Sequence, residues 1–289
     1  MVESSWGAGE QTRNQNFLAF LTETRGSNLA TTGKLVCNKT VYSLFRMIQK
    51  FPSSGTLQAP WHSYRCPFSL RGEVLWSQSL GGWFVPENES EIECMLHMER
   101  YEPVEWVAPH AGDVFLDIGA FVGCQSIRAA RIVGPSGQVI SLEHDPINRN
   151  QLEANLVLNE IANCRISPLA AWSKTGNELG WYSAKSPDCC RNDESGHSAS
   201  VKTTTVDDLE DDLQLDQLDW IKMDIEGAEI EALKGTERTL RHFRPRLIVE
   251  VHDTVVGVKE LLKRYNYSIV REAYDGSPRP HGWYVASVS

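Results

Sequence analysis

The chain has 289 residues, 41% of them hydrophobic, and carries 28 Lys/Arg against 38 Asp/Glu for a net charge of −10. That length holds one large α/β domain with an extension, or two small domains; no apolar run approaches the roughly 18 to 20 residues that span a bilayer, and the polar residues 1–15 lack a secretory pattern, so a cytoplasmic protein without a membrane partner is expected. The first 75 residues hold eight Lys/Arg and four Asp/Glu, which leaves −14 on the rest, and an acidic body repels nucleic-acid phosphates.

Three zones follow one another. In residues 1–75, the runs 17–21 and 41–48 suit helices, while Pro52-Ser53-Ser54-Gly55 and Cys66-Pro67 read as breaks; no motif stands out. From 73 to 106, residues 74–76 and 82–85 suit strands. Residues 89–106 then suit a helix, with Ile92, Met95, Leu96 and Glu99 at helical spacing.

From about residue 110, strand and helix alternate. Strands are expected at 114–118, 139–142, 165–171, 220–223 and 246–251. Helices are expected at 122–133, ending at Gly134-Pro135, then at 148–159, 226–241 and 255–265. Two last strands, 268–271 and 283–288, have no helix between them and suit an antiparallel pair at one edge. Repeated β-α units build a doubly wound, mostly parallel sheet with helices on both faces. The seven cysteines are odd in number, contain no Cys-x-x-Cys, and include the adjacent Cys189 and Cys190 in a polar loop. Neither a disulfide framework nor a zinc site of ordinary spacing is expected.

In such sheets ligands bind beyond the carboxyl ends of the strands, where strand order reverses. The first strand of the alternating zone leads into Asp117-Ile118-Gly119-Ala120-Phe121-Val122-Gly123. Gly119 allows a sharp turn and Gly123 a close approach at the helix start. A carboxylate at this tip repels a pyrophosphate but attracts an ammonium or sulfonium. The second strand ends in Glu143, about 25 residues on, where a carboxylate can take both ribose hydroxyls. A nicotinamide site wants three glycines and no acid before them. S-adenosylmethionine (SAM) is therefore the expected cofactor, with a nicotinamide oxidoreductase as the alternative.

These residues resemble the FkbM-type methyltransferases over about residues 83–252. The resemblance runs through the Asp117–Gly123 loop, residues 139–146 with Glu143 and Asp145, then Asn155 and Asn159. It continues through Ala171-Trp172-Ser173 with Gly176, and Thr203-Thr204-Thr205-Val206-Asp207. The most specific piece is Ile221-Lys222-Met223-Asp224-Ile225-Glu226-Gly227-Ala228-Glu229, and Val249-Glu250-Val251-His252 closes it. The family usually has Asn at the place of Phe121 and often Pro at that of His144. The resemblance implies a seven-stranded Rossmann-like class I methyltransferase domain over 76–289. It leaves 1–75 as a lid, dimerisation or acceptor region. It also implies SAM-dependent O-methylation of a small molecule, a sugar or natural-product hydroxyl, and a homodimer is compatible with it. The expected cofactor contacts are Asp117, Gly119, Ala120, Phe121, Gly123, Glu143, His144, Ala171 and Asp224.

A hydroxyl acceptor needs a base. His252, at the fifth strand tip, is the first choice because its ordinary pKa is near neutral. Asp224, at the fourth, is an acceptor contact or base; its alternative role is to cap the helix expected from Glu226. Glu226 and Glu229 are expected to share a helix face, Glu229 in a structural role. His197 lies in a polar loop, and Lys222 is expected to pair with a neighbouring acid. No metal is assigned, the alternative being a divalent ion on Asp224 and Glu226 with Glu250 or His252. A SAM-binding module without catalysis is the remaining alternative; it gains if Asp224 and His252 point apart.

Overall fold

The structure is a computed structural model, and it describes residues 25–26, 72–77, 80–86, 91, 104–181, 199–274 and 281–288. The described residues fall into two compact units, one before Glu99 and one from Glu99 onward. In the first, β1 (Arg25–Gly26), β2 (Leu75–Ser77) and β3 (Gly82–Phe84) form a small antiparallel sheet. Leu75 and Phe84 are buried in it. The helices expected at 17–21 and 41–48, most of the one expected at 89–106, His197 and the Cys189-Cys190 pair lie outside the described residues. Of the 89–106 segment, Glu91 is described as helical and Val104–Trp106 as a 3-10 turn.

The second unit is the α/β body. Its strands are β4 (Val114–Ile118), β5 (Gln138–Leu142), β6 (Cys164–Ser167), β7 (Ala170–Ala171), β8 (Glu178–Trp181), β9 (Ala199–Thr204), β10 (Trp220–Met223), β11 (Arg246–His252), β12 (Tyr267–Tyr274) and β13 (His281–Val288). Its described α-helices are α1 (Cys124–Val133), α2 (Pro146–Leu158), α3 (Val206–Leu213), α4 (Glu229–Lys234), α5 (Glu237–His242) and α6 (Val255–Arg264).

Seven strands make one sheet in the order β12-β13-β11-β10-β4-β5-β6. Strands β11, β10, β4, β5 and β6 run parallel. The four inner ones, β11, β10, β4 and β5, are mostly buried, as strands covered on both faces are, and all four residues of β10 are buried. The expected antiparallel tail pair is present, but only β12 is the edge. β13 is inserted between β12 and β11, antiparallel to both. The core cluster joins Leu116, Ile140, Ile221 and Val249 from four neighbouring strands with Leu233 and Leu262 from the helices.

Three expected elements differ. The strand expected over 165–171 is two: β6 joins the large sheet, and β7 leaves it to pair with β9 in a small sheet with β8. The helix expected over 226–241 begins only at Glu229 and is broken into α4 and α5 around Gly235 and Thr236. The start slips because Glu226 (φ 54°) and Gly227 (φ 101°) are left-handed, outside the helical region. The helix expected from residue 122 starts at Cys124, since its cap Gly123 is also left-handed. Strands β8 and β9 were missed from local pattern.

Chain order runs outward from β4 through β5 to β6, then returns to β10 on its other flank. Strand order therefore reverses at the β4–β10 boundary, and a crevice is expected beyond the carboxyl ends of these two strands.

Candidate functional site

The loop after β4 is fastened from both sides. Gly119 and Ala120 donate their backbone N–H groups to the Leu142 carbonyl, each at 3.0 Å. Gly119 has φ 80°, and a Cβ placed on it would lie 1.9 Å from the Asp224 carbonyl oxygen. Only glycine fits there, because loop and β10 exit touch backbone to backbone. Gly123 has φ 92°, and its Cβ would meet Leu152 of α2 at 2.4 Å. Phe121, where the family usually has Asn, is itself left-handed at φ 51°. Asn and Gly tolerate that region better than a bulky ring. Its backbone N–H donates 2.8 Å to Glu143 Oε2.

Glu143 stands at the tip of β5 and is 5% exposed. Its other oxygen, Oε1, accepts from the Asp145 N–H at 2.8 Å. One carboxylate thus ties the β4 loop to the start of α2, a role that sequence reasoning missed. The Asn148 side chain bonds the same carboxylate, and of its four lone pairs one stays open to a hydroxyl donor. Burial pushes the Glu143 pKa up to about 7, although the Asp145 and Phe121 N–H groups favour the ionised form. His144 Nδ1 lies 4.0 Å from Glu143 Oε1, and burial holds the ring pKa below its usual value.

Asp117 was expected to face the cofactor's ammonium. It lies in β4 and is fully buried. Oδ2 accepts from Ser126 Oγ at 2.6 Å; Ser126 Oγ in turn lies 2.8 Å from Ser141 Oγ. Oδ1 accepts no hydrogen bond within the chain and faces Lys222 Nζ at 3.5 Å. Burial raises the Asp117 pKa, against the pull of Lys222 and Ser126. Ser126 was not singled out in the sequence; the signal was its place one helical turn into α1, directly beyond an acid-led loop.

Lys222 does more than pair with one acid. Its ammonium donates to the Gly119 carbonyl at 3.0 Å and lies 3.6 Å from Asp224 Oδ2 as well as 3.5 Å from Asp117 Oδ1. It is 4% exposed, so a single buried cation holds the β4 loop against the β10 exit.

Beyond β10 and β11 the chemistry changes. Asp224 is not a helix cap: α4 starts five residues later and its N-cap Ala228 makes no side-chain cap bond. The Asp224 side chain is 29% exposed. Burial would raise its pKa, but Lys222, His252 and a hydrogen bond with Glu250 outweigh that and hold it below the carboxylate range. Glu226 and Glu229 do not share a helix face, because Glu226 precedes the helix; both nevertheless reach the same imidazole. His252 Nε2 lies 3.6 Å from Glu226 Oε2 and 3.9 Å from Glu250 Oε1. Its Nδ1 is 3.0 Å from Glu229 Oε1.

Glu229 is fully buried. It also accepts from the Gly227 N–H at 2.8 Å and from Thr254 Oγ1 at 2.7 Å. The expected structural role is therefore specific: it orients His252. The reason given for His252 as a base needs correction. Burial alone would lower its pKa, but the Glu229 hydrogen bond and the Asp224 and Glu226 carboxylates lift it to about 9. At neutral pH the ring already carries its proton, and an imidazolium accepts none. Asp224 and His252 do converge: together with Glu226 they offer ligand atoms all within 4.8 Å of one another. Ala171 is buried, 5% exposed. It lies in β7 and in the buried core cluster with Leu142 and Met223.

The tips of β4 and β5 fit SAM. Gly119 leaves no room for a side chain, and Asp117 and Glu143 put buried carboxylates at the two strand tips. A carboxylate head on this loop suits a cationic methionine end and opposes a pyrophosphate.

The family model described as the methyltransferase FkbM domain matches residues 117–269, which is more than half of the chain. No curated protein matches the chain. A solved FkbM methyltransferase from Methylobacillus flagellatus is 20% identical, with a TM-score of 0.47, and the match covers 63% of this chain and 46% of that one. This chain thus spans under half the length of that relative. Aeropyrum pernix fibrillarin with bound SAM is 15% identical over 61% of this chain and 67% of its own, with a TM-score of 0.41. The Geobacter metallireducens precorrin-6y C5,15-methyltransferase is 18% identical over 64% and 84%, also with a TM-score of 0.41. On the family match, which spans the loop, the Asp224–Glu229 run and the β11 tip, this chain belongs to the FkbM methyltransferase family, whose methyl donor is SAM.

Proposed function

We propose that the chain transfers a methyl group from SAM to a hydroxyl of a small molecule, a sugar or natural product. One observation carries this reading. The cofactor loop abuts the acidic tip of β10, so tightly that a Cβ on Gly119 would reach 1.9 Å from the Asp224 carbonyl oxygen. A methyl donor held by the loop is thereby next to polar groups that can hold an acceptor. When bound, SAM would supply an electrophilic sulfonium methyl, with S-adenosylhomocysteine as the leaving thioether and the acceptor's hydroxyl proton passing to water.

The chain's own residues supply position, the larger part of such a displacement. Lys222 fixes the two tips against each other. Glu143 holds the loop and offers its remaining acceptor position to a ribose hydroxyl. Asp224, partly open at its strand tip, contacts the acceptor hydroxyl. The acidic surroundings favour a neutral or cationic acceptor over a nucleic acid. Among the described residues no helix is long and apolar enough to cross a membrane. Cys124 and Cys164 are free thiols, which supports a cytoplasmic setting.

The test is methyl transfer to a panel of hydroxyl-bearing small molecules, read by mass spectrometry. Asp224→Asn should slow transfer about 10²- to 10⁴-fold, the usual weight of an acid-base contact, while S-adenosylhomocysteine (SAH) still binds. Full turnover in Asp224→Asn would remove Asp224 from the reaction. A wild-type chain that binds NAD tightly and ignores SAH would overturn the whole reading.

A further inference from the structure

We propose that Asp224, Glu226 and His252 form a divalent-cation site at the acceptor side of the cleft. The cation is held by one oxygen of each carboxylate and by imidazole Nε2. The three ligand atoms all lie within 4.8 Å of one another, and the Glu226 Oε2 to His252 Nε2 pair is already at 3.6 Å. Ligands about 2.0 to 2.3 Å from a shared ion stand roughly 3 to 4.5 Å apart. The Glu226 side chain, 45% exposed, can close the remaining distance by rotation.

The histidine is what separates this group from an ordinary patch of surface acids. Its Nδ1 faces Glu229, a fully buried carboxylate that also accepts from the Gly227 N–H and the Thr254 hydroxyl. A carboxylate only accepts, so an Nδ1–H faces Glu229, and a cation binds on the Asp224 and Glu226 side by displacing the proton that the imidazolium carries on Nε2. A carboxylate behind the far nitrogen is the usual support of a metal-bound histidine. Charge points the same way. Lys222 already divides its ammonium between Asp117 and Asp224, while Glu226 and Glu250 both crowd Nε2. Two oxygens and one nitrogen, with no thiolate, suit Mg²⁺, Mn²⁺ or Zn²⁺ rather than a soft ion. The exposed side of Glu226 leaves coordination positions for water and an acceptor oxygen.

The use of the ion rests on the methyl-transfer reading. An acceptor hydroxyl bound to it loses its proton to water more easily, as bound water does; the oxygen then takes the methyl and the S–CH3 bond breaks.

The full chain, stripped with EDTA, is titrated with Mn²⁺ and the free ion is read by electron paramagnetic resonance. SAH binding is measured beside it by calorimetry, and folding by circular dichroism. One Mn²⁺ per chain is expected. Asp224→Asn and His252→Gln should each weaken it more than tenfold. Glu229→Gln, which leaves all three ligands in place, should weaken it by about 10- to 100-fold; the exposed-site control Glu153→Gln should not. If Asp224→Asn does not fold, the other two variants decide. No Mn²⁺ bound at millimolar ion, or equal binding in folded His252→Gln and Glu229→Gln, overturns the site. Mn²⁺ binding without SAH binding would uphold the site and overturn the cofactor reading instead.

Discussion

The tips of β4 and β5 and the tips of β10 and β11 lie on one edge of one sheet, yet they solve opposite problems. On the first pair the carboxylates are deeply buried and matched mostly by backbone N–H groups and hydroxyls: Glu143 by Phe121 and Asp145, Asp117 by Ser126. On the second pair, Asp224, Glu226, Glu229 and Glu250 surround a single imidazole; Glu229 and Glu250 are buried, while Asp224 and Glu226 remain partly open. A shared cofactor rewards a preorganised cradle, whereas the partly open Asp224 and Glu226 can adapt to an acceptor or an ion. Lys222 is the hinge of the comparison, since it touches both sides.

The largest effect that can break this division is therefore Lys222→Met. It leaves Asp117 and Asp224 without their shared cation and should cost about 3 to 5 kcal/mol, as losing one partner of a buried ion pair does. Urea unfolding measures it; a loss near zero would mean that the two sides are not coupled through this residue. Next comes Glu143→Gln. It keeps the shape but loses a charged acceptor, and should weaken SAH by about 1.5 to 3 kcal/mol in calorimetry, while Mn²⁺ binding stays unchanged. Equal damage to both ligands would erase the distinction between the two sides.

The smallest effect is a pH dependence confined to the first side. Burial lifts Glu143 from 4.5 to about 7 in the folded protein. The folded chain then holds more protons than the unfolded one between those values, so this group's contribution to stability falls as pH rises through that window. SAH should prefer the carboxylate. Its affinity should drop about tenfold between pH 7.5 and 6, and binding at pH 6 should release a proton. Calorimetry in two buffers of different ionisation enthalpy reads that proton directly; none released would mean Glu143 is already ionised when free.

Much of this layout was legible in the chain. The β4 and β10 strands follow from short apolar runs, and the loop from an acid ahead of Gly119 and Gly123. Two tail strands without a helix between them announced an antiparallel pair. What local pattern could not supply was contact across the sheet. Ser126 lies nine residues from Asp117, Lys222 lies 105 residues away, and Glu229 meets His252 across 23. The start of α4 also escaped periodicity, because Glu226 and Gly227 leave the helical region to carry the Glu226 carboxylate toward His252.

The sequence by itself determined the alternation of strands and helices, the glycine loop, the second-tip carboxylate and the membership in a family, because each depends on residues near in the chain. Only the tertiary structure decided that Asp117 is fully buried, with Ser126 and Lys222 beside it. It alone placed β13 between β12 and β11. It also decided that His252 is charged, since a pKa is set by whichever groups the fold brings to within a few ångströms.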